Sequence, residues 1–364
     1  MILSTILGEL ERFAPPALQE SYDNSGLLTG HPGMEITGAL VCLDSTEEVI
    51  DEAIQHGCNL VIAHHPIIFS GLKRLNGRNY IERTIIKAIR HDIAIYAIHT
   101  NLDNVFSGVN RMIAQQLGLS HCRILSPLRN KLKKLVTYVP TDHSDKVKEA
   151  LFEAGAGHVG HYSECSFTLS GTGTFKGDET TDPERGERGK RRYEPEDRIE
   201  VILPVWHEAE VMKSLRHSHP YEEVAYQISP IDNPNQDVGA GLIGHLEAET
   251  DTMEFLDLLK TSMKSPVVRH TRPINPKIRT VAVCGGSGSF LLPEAIRQGA
   301  DVFVTADFKY HQFFDADGKI LIADIGHFES EQFTIDLLAG ILREKFTTFA
   351  VRLTGINTNP IHYR

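Results

Sequence analysis

The 364-residue chain is longer than one hydrophobic core ordinarily serves, so two or three domains are expected. At 41% hydrophobic and 23% charged residues it has the composition of a globular protein, which excludes extensive disorder. A formal net charge of -11 argues against general nucleic-acid binding, which needs a basic face to neutralise phosphates.

The opening residues, MILSTILGELERF, are amphipathic but carry Glu9 and Glu11 within the apolar pattern. They lack the charged start and long apolar centre of a signal peptide and read as a first helix. No window reaches the roughly 18 uninterrupted apolar residues of a membrane span, so no membrane partner is expected. Cys42, Cys58, Cys122, Cys165 and Cys284 are scattered, odd in number and without CxxC spacing, as suits reduced thiols in a cytoplasmic protein. Cys42 and Cys284 fall inside predicted strands and read as small buried hydrophobes.

Through the first third, short apolar runs alternate with helical patterns. ALVCLD (39–44) is followed by a helix from Thr46 to about His56, LVIAHH (60–65) by a helix around Tyr80 to Arg90, and then comes IAIYAIHT (93–100). Buried strands joined by crossover helices predict an α/β fold with a mixed, largely parallel sheet and flanking helices. Thr46 is a natural N-cap, with Glu47 and Glu48 complementing the helix dipole.

The middle of the chain follows a different order. KLVTYVP, SDKVKEALFEAG, CSFTLSGTGTF, RIEVILPV, a helix near His207 to His217 and VAYQISP read as β-α-β-β-α-β, the ferredoxin-like arrangement. An inserted α+β domain over residues 129–240 is the economical explanation, interrupting a core built from 1–128 and 241–364. Residues 177–198, rich in charge, Gly and Pro, read as a solvated hairpin or loop. The α/β grammar then returns with TVAVCGG (280–286), VFVTAD (302–307) and ILIADIGH (320–327), followed by a helix from about Ser330 to Lys345.

Ligands of parallel α/β sheets bind outside the carboxyl ends of strands, and that is where His64 and His65 fall. HTNLD (99–103), TADFKYH (305–311) and HFESE (327–331) sit at equivalent ends. His327 and Glu331, spaced i, i+4, share one helix face and can share a metal ion. Each residue also has a plainer use: Glu331 suits a helix start without any metal, and Asp103 suits a turn. Together His64, His65, Asp103, His327 and Glu331 exceed a three-ligand zinc site and suit two divalent ions sharing a carboxylate. Nitrogen and oxygen donors without thiolate fit zinc, iron or manganese. The glycine loop CGGSGSF (284–290) serves either as an anion cradle near Ser287 to Ser289 or as a tight connection needing positive φ.

The motifs DNSGL (23–27), AHHP (63–66), HTNLD, TADFKYH and GHFESE (326–331) resemble, in order, those of the NIF3-like family, the GTP cyclohydrolase 1 type 2 homologues. Ala306 stands where the family usually has Gly, and ADIGH where it has IDAGH; neither change touches a candidate ligand. The insertion is similar to the PII/CutA-like domain of the long bacterial members.

The resemblance implies a NIF3-like core with His64, Asp103 and Glu331 at one ion and His65, His327 and the same Glu331 at the other. It gives His99 the role of orienting Asp103 or a water, and His99 or His311 that of carrying a proton; Tyr310 and His311 could face the cleft. It also implies a toroidal homohexamer, a trimer of dimers, with small molecules entering an internal cavity. The expected function is metal-dependent hydrolysis of a nucleotide or related heterocycle. The alternative is a metal-binding regulatory protein whose insertion senses a ligand.

Overall fold

The structure, a computed structural model, describes all of residues 1–364. The chain forms two compact units, Met1–Pro127 with Asp237–Arg364, and Leu128–Gln236. No helix is long and apolar enough to cross a membrane.

The first unit contains two mixed sheets. One has five strands in the order Gly26–Thr29, Ala94–Ala97, Leu60–Ala63, Gly38–Cys42 and Ala350–Leu353. Its last four run parallel and the first is antiparallel. Every residue of LVIA, AIYA and GALVC is buried, which is why these strands read as unbroken apolar runs: helices cover both faces. Helices Glu47–Gln55 and Tyr80–Arg90 close one face over Leu40, Val61, Ala63 and Ile95. Thr46 caps the first of them by accepting from the Val49 amide.

The second sheet has six strands, ordered Arg269–His270, Leu321–Asp324, Val302–Ala306, Lys277–Ser287, Asn235–Asp251 and Ser120–Leu128. Its three central apolar strands are parallel, with antiparallel neighbours outside them. The two-residue period assigns alternate side chains to separate cores. Val281, Val283, Val302, Val304 and Leu321 pack with Phe255 and Leu259 on one face, while Ala282, Cys284, Phe303 and Ile322 pack with Leu292 and Phe308 on the other. After helix Thr334–Lys345 the chain returns to the first sheet, where Ala350–Leu353 pairs with Gly38–Cys42.

The second unit is a four-stranded antiparallel sheet ordered Ser166–Phe175, Arg192–Pro204, Leu132–Pro140 and Tyr226–Ile231. Helices Ser144–Glu153 and Glu208–Ser218 supply Val147, Leu151, Val211 and Leu215 to its core.

Three expectations change. The charged stretch is not all loop: its strand starts at Arg192, because buried Glu194 is paired by Arg185 and Arg192, and Asp197 accepts from the Ser170 hydroxyl. The helix expected from Ser330 instead opens as a short turn at His327–Glu331 and restarts at Thr334. The long strand Asn235–Asp251 has no clear signal in the sequence, since Gly239, Gly241 and Gly244 interrupt its apolar pattern. Each of those glycines lets another backbone approach, Gly239 against Ser126 and Gly244 against Ser120.

Candidate metal centre

Beyond Ala63 the main chain stays paired, His64 N donating to Cys42 O and His65 N to Leu43 O, so the two imidazoles leave the sheet edge in a fixed setting. His64 is fully buried and its Nδ1 lies 2.8 Å from the Ile98 carbonyl. His65 Nδ1 lies 2.8 Å from Asp44 Oδ1, just beyond the neighbouring strand. His99 Nδ1 is 2.7 Å from Asp23 Oδ1, and His327 Nδ1 is 2.7 Å from Asp307 Oδ2. Each ring therefore gives its Nδ1 proton to an oxygen, leaving Nε2 for the centre.

There the two sheets meet. His65 Nε2 lies 2.9 Å and His327 Nε2 3.2 Å from Glu331 Oε2, and the two nitrogens are 3.4 Å apart. His64 Nε2 stands 3.6 Å from Asp103 Oδ1 and 3.8 Å from Glu331 Oε1. Donor atoms of His65, His327 and Glu331 all lie within 4.8 Å of one another, as do those of His64, His65 and His99. His64 Nε2, Asp103 Oδ1 and Glu331 Oε2 are sealed from solvent and make no hydrogen bond; Glu331 Oε2 has only the ion-pair approach of the two rings. Leaving a buried polar atom unmatched costs about 1–3 kcal/mol. Three beside one another, all of ligand type, fit a divalent cation.

The protonation pattern of the bare site follows from the same crowding. Burial alone would lower the His65 and His327 pKa values, but the Glu331 charge and the bonds to Asp44 and Asp307 outweigh it, pushing them up to about 10 and about 11. Burial would raise Glu331, yet the His327 and His65 charges hold it well below the usual carboxylate range. Asp103 moves the other way, raised by burial and by the like charge of Glu331 against the pull of His64. Asp23 is drawn down despite its burial by bonds from His99, Thr100 and Ser25. Protons thus occupy the place of cationic charge.

The glycine loop is a close-approach device. Gly286 has φ +59, and a Cβ there would stand 2.5 Å from Glu331 Oε1. Its amide donates to Ser330 Oγ and that of Gly285 to Asn110 Oδ1. Cys42 and Cys284 are buried, and burial pushes both thiols up, so Cys284 lines the cavity as a neutral group.

Sequence reasoning missed Asp44, Asp23 and Asp307, although each sits in or beside a motif it had singled out. The tail was invisible to it: the Thr358 hydroxyl donates to Asp44 Oδ2 at 2.7 Å, Asn359 donates to Glu329 Oε1, and Pro360 and Ile361 form a cavity wall. His99 is brought to the centre, its ring 5.3 Å from those of His64 and His65, but its carboxylate partner is Asp23, not Asp103. His311 is not brought there. It is exposed on the turn Tyr310–Ala316, its ring beside those of Tyr310 and Phe314 and outside the cavity lining; Tyr310 is itself 73% exposed.

The family model for Duf34/NIF3 (NGG1p interacting factor 3) matches residues 1–360. A Halalkalibacterium halodurans protein named GTP cyclohydrolase 1 type 2 homolog is 40% identical over 365 residues, spanning 99% of this chain and 98% of its own. Its Bacillus subtilis namesake is 40% identical over 363 residues, spanning 98% and 97%. Among solved structures, a Bacillus cereus protein related to NIF3 superposes with a TM-score of 0.88 at 37% identity, over 100% of this chain and 99% of that one.

Proposed function

The chain belongs to the Duf34/NIF3 family, and we propose that it is a dinuclear metal-binding protein working as a metal-dependent hydrolase. His64, Asp103 and Glu331 would hold one divalent ion, and His65, His327 and Glu331 the other. The observation that carries this reading is the set of sealed, unmatched atoms His64 Nε2, Asp103 Oδ1 and Glu331 Oε2, beside rings whose Nδ1 atoms are already bound. The donors are nitrogen and oxygen only, a set for zinc, iron or manganese. When bound, such a pair of ions supplies an activated water and polarises a substrate oxygen.

The chain's own residues do the rest. Ile98, Asp44 and Asp307 hold the ligand rings in one tautomer and direction before any ion arrives. His99, steadied by Asp23, keeps Nε2 beside His64 and His65 and is the group that moves a proton to a leaving atom. We also read the second unit as a ferredoxin-like insertion of the PII/CutA kind, supported by its β-α-β-β-α-β order and by the first strand lying between the third and fourth. The toroidal hexamer is carried as part of the same proposal, and a sedimentation mass near that of one chain would remove it.

Glu331→Gln tests the centre, because it keeps the shape and deletes the shared charge. Elemental analysis of the purified variant is expected to show both ions lost while circular dichroism shows an unchanged fold. Retention of both ions would overturn the assignment. Two ions in the parent protein without turnover on phosphoesters, cyclic amides and GTP would instead favour the regulatory reading.

A further inference from the structure

Resting on the hydrolase reading, we propose that the cavity at this centre takes an uncharged, flat heterocycle and not a nucleoside triphosphate. The cavity measures about 720 Å³, room enough for a small-molecule ligand. Tyr22, Phe69 and Phe290 line it and are 63%, 52% and 65% exposed, so their rings have open faces. Phe69 stands edge-on to His99, ring centres 6.4 Å apart, and His99 in turn adjoins His64 and His65. A flat ring stacked on Phe69 would lie against the candidate ligands. Pro66, Pro360 and Ile361 extend the apolar surface.

Charge decides against phosphates. The lining includes Glu20, Asp44, Asp103 and Glu331 but neither lysine nor arginine. Two divalent ions would be neutralised by these carboxylates, leaving nothing to balance a triphosphate. Buried phosphate oxygens need charge-assisted donors or aligned amides. Here the Gly285 and Gly286 amides are already given to Asn110 and Ser330, and the Asn104 side-chain amide to Leu18 O and Glu20. A neutral heterocycle asks only for stacking and one or two polar contacts. Its hydrolysis needs no further reactant: water oxygen bonds to the ring carbon, the C–N bond breaks, and the nitrogen leaves with a proton.

The test is calorimetric binding to the metal-loaded full-length protein, using guanosine, uracil and GTP saturated with magnesium, with metal content measured on the same sample. Guanosine and GTP share a base and differ in the triphosphate. Guanosine is expected to bind at least about tenfold more tightly than GTP, and Phe69→Ala to weaken it by about tenfold, a usual worth of one stacked base, with both ions retained. Tighter binding of GTP than guanosine, with affinity falling steeply as salt rises, would overturn the proposal. So would failure of both neutral probes to bind. A sample that takes up no metal even after reconstitution would sink the hydrolase reading itself and this inference with it.

Discussion

Replacing Asp44 by asparagine isolates what a carboxylate behind a ligand ring contributes. Asp44 Oδ1 accepts from His65 Nδ1 at 2.8 Å, and Oδ2 accepts from the Thr358 hydroxyl at 2.7 Å. Burial opposes its charge, but those two contacts hold the carboxyl below its ordinary range. Asparagine fits the same space and can offer a carbonyl to His65, so the change removes charge and not shape. Partners of this kind are worth about 10–100-fold in metal affinity, or about 1.4–2.7 kcal/mol. Chelator competition should show the loss at one ion of the two, since His64 and Asp103 do not depend on Asp44. Thr358→Val deletes one hydrogen bond to a charged carboxylate, worth about 1.5–3 kcal/mol, and acts through Asp44. The double variant should therefore bind little more weakly than Asp44→Asn alone. Wild-type affinity in Asp44→Asn, or fully additive losses, would refute the reasoning.

Gly286→Ala forces φ +59 on a residue with a Cβ and sets that carbon 2.5 Å from Glu331 Oε1 and 3.2 Å from the His327 ring. The left-handed backbone alone should cost about 1–2 kcal/mol in urea unfolding. Metal capacity should fall as well, because Glu331 must move; a fully metallated variant of parental stability would contradict this. In metal-free protein, the raised His65 and His327 values stabilise the fold fully below about pH 6.5, the ordinary histidine value, and that contribution is lost as pH rises through about 10 and about 11. Thermal melts without metal should therefore weaken from neutral pH upward, whereas metal-loaded protein should be spared. Metal uptake at pH 7 should release about two protons, measurable by calorimetry in buffers of different ionisation enthalpy; uptake without release would show the rings are neutral beforehand.

Much of the architecture was legible because it is written locally. LVIA, VFV and LIA are continuous apolar runs, short and bounded by turn signals, as suits strands buried on both faces. Thr46 before two glutamates marked a helix start that the Val49 amide confirms. Less local features escaped. Nothing near Arg192 shows that Glu194 will be paired by Arg185 and so can enter a strand. Gly239 and Gly241 look like loop residues until the backbones they admit are present.

The same division runs through the site. Strand ends bearing His64 and His65, an i, i+4 pair at His327 and Glu331, and a loop acid at Asp103 follow from residue type and spacing, so sequence alone determined the donor chemistry. Only the tertiary structure decided that the edges of two separate sheets face one another, bringing His65 and His327, 262 residues apart, to within 3.4 Å. It alone chose Asp44, Asp23 and Asp307 as the oxygens behind the rings, turned His311 outward, and laid Thr358 against Asp44. The physical reason is that spacing along a strand or helix is set by local backbone geometry. Which carboxylate meets which ring is set by packing between elements far apart in the chain, and no local propensity encodes it.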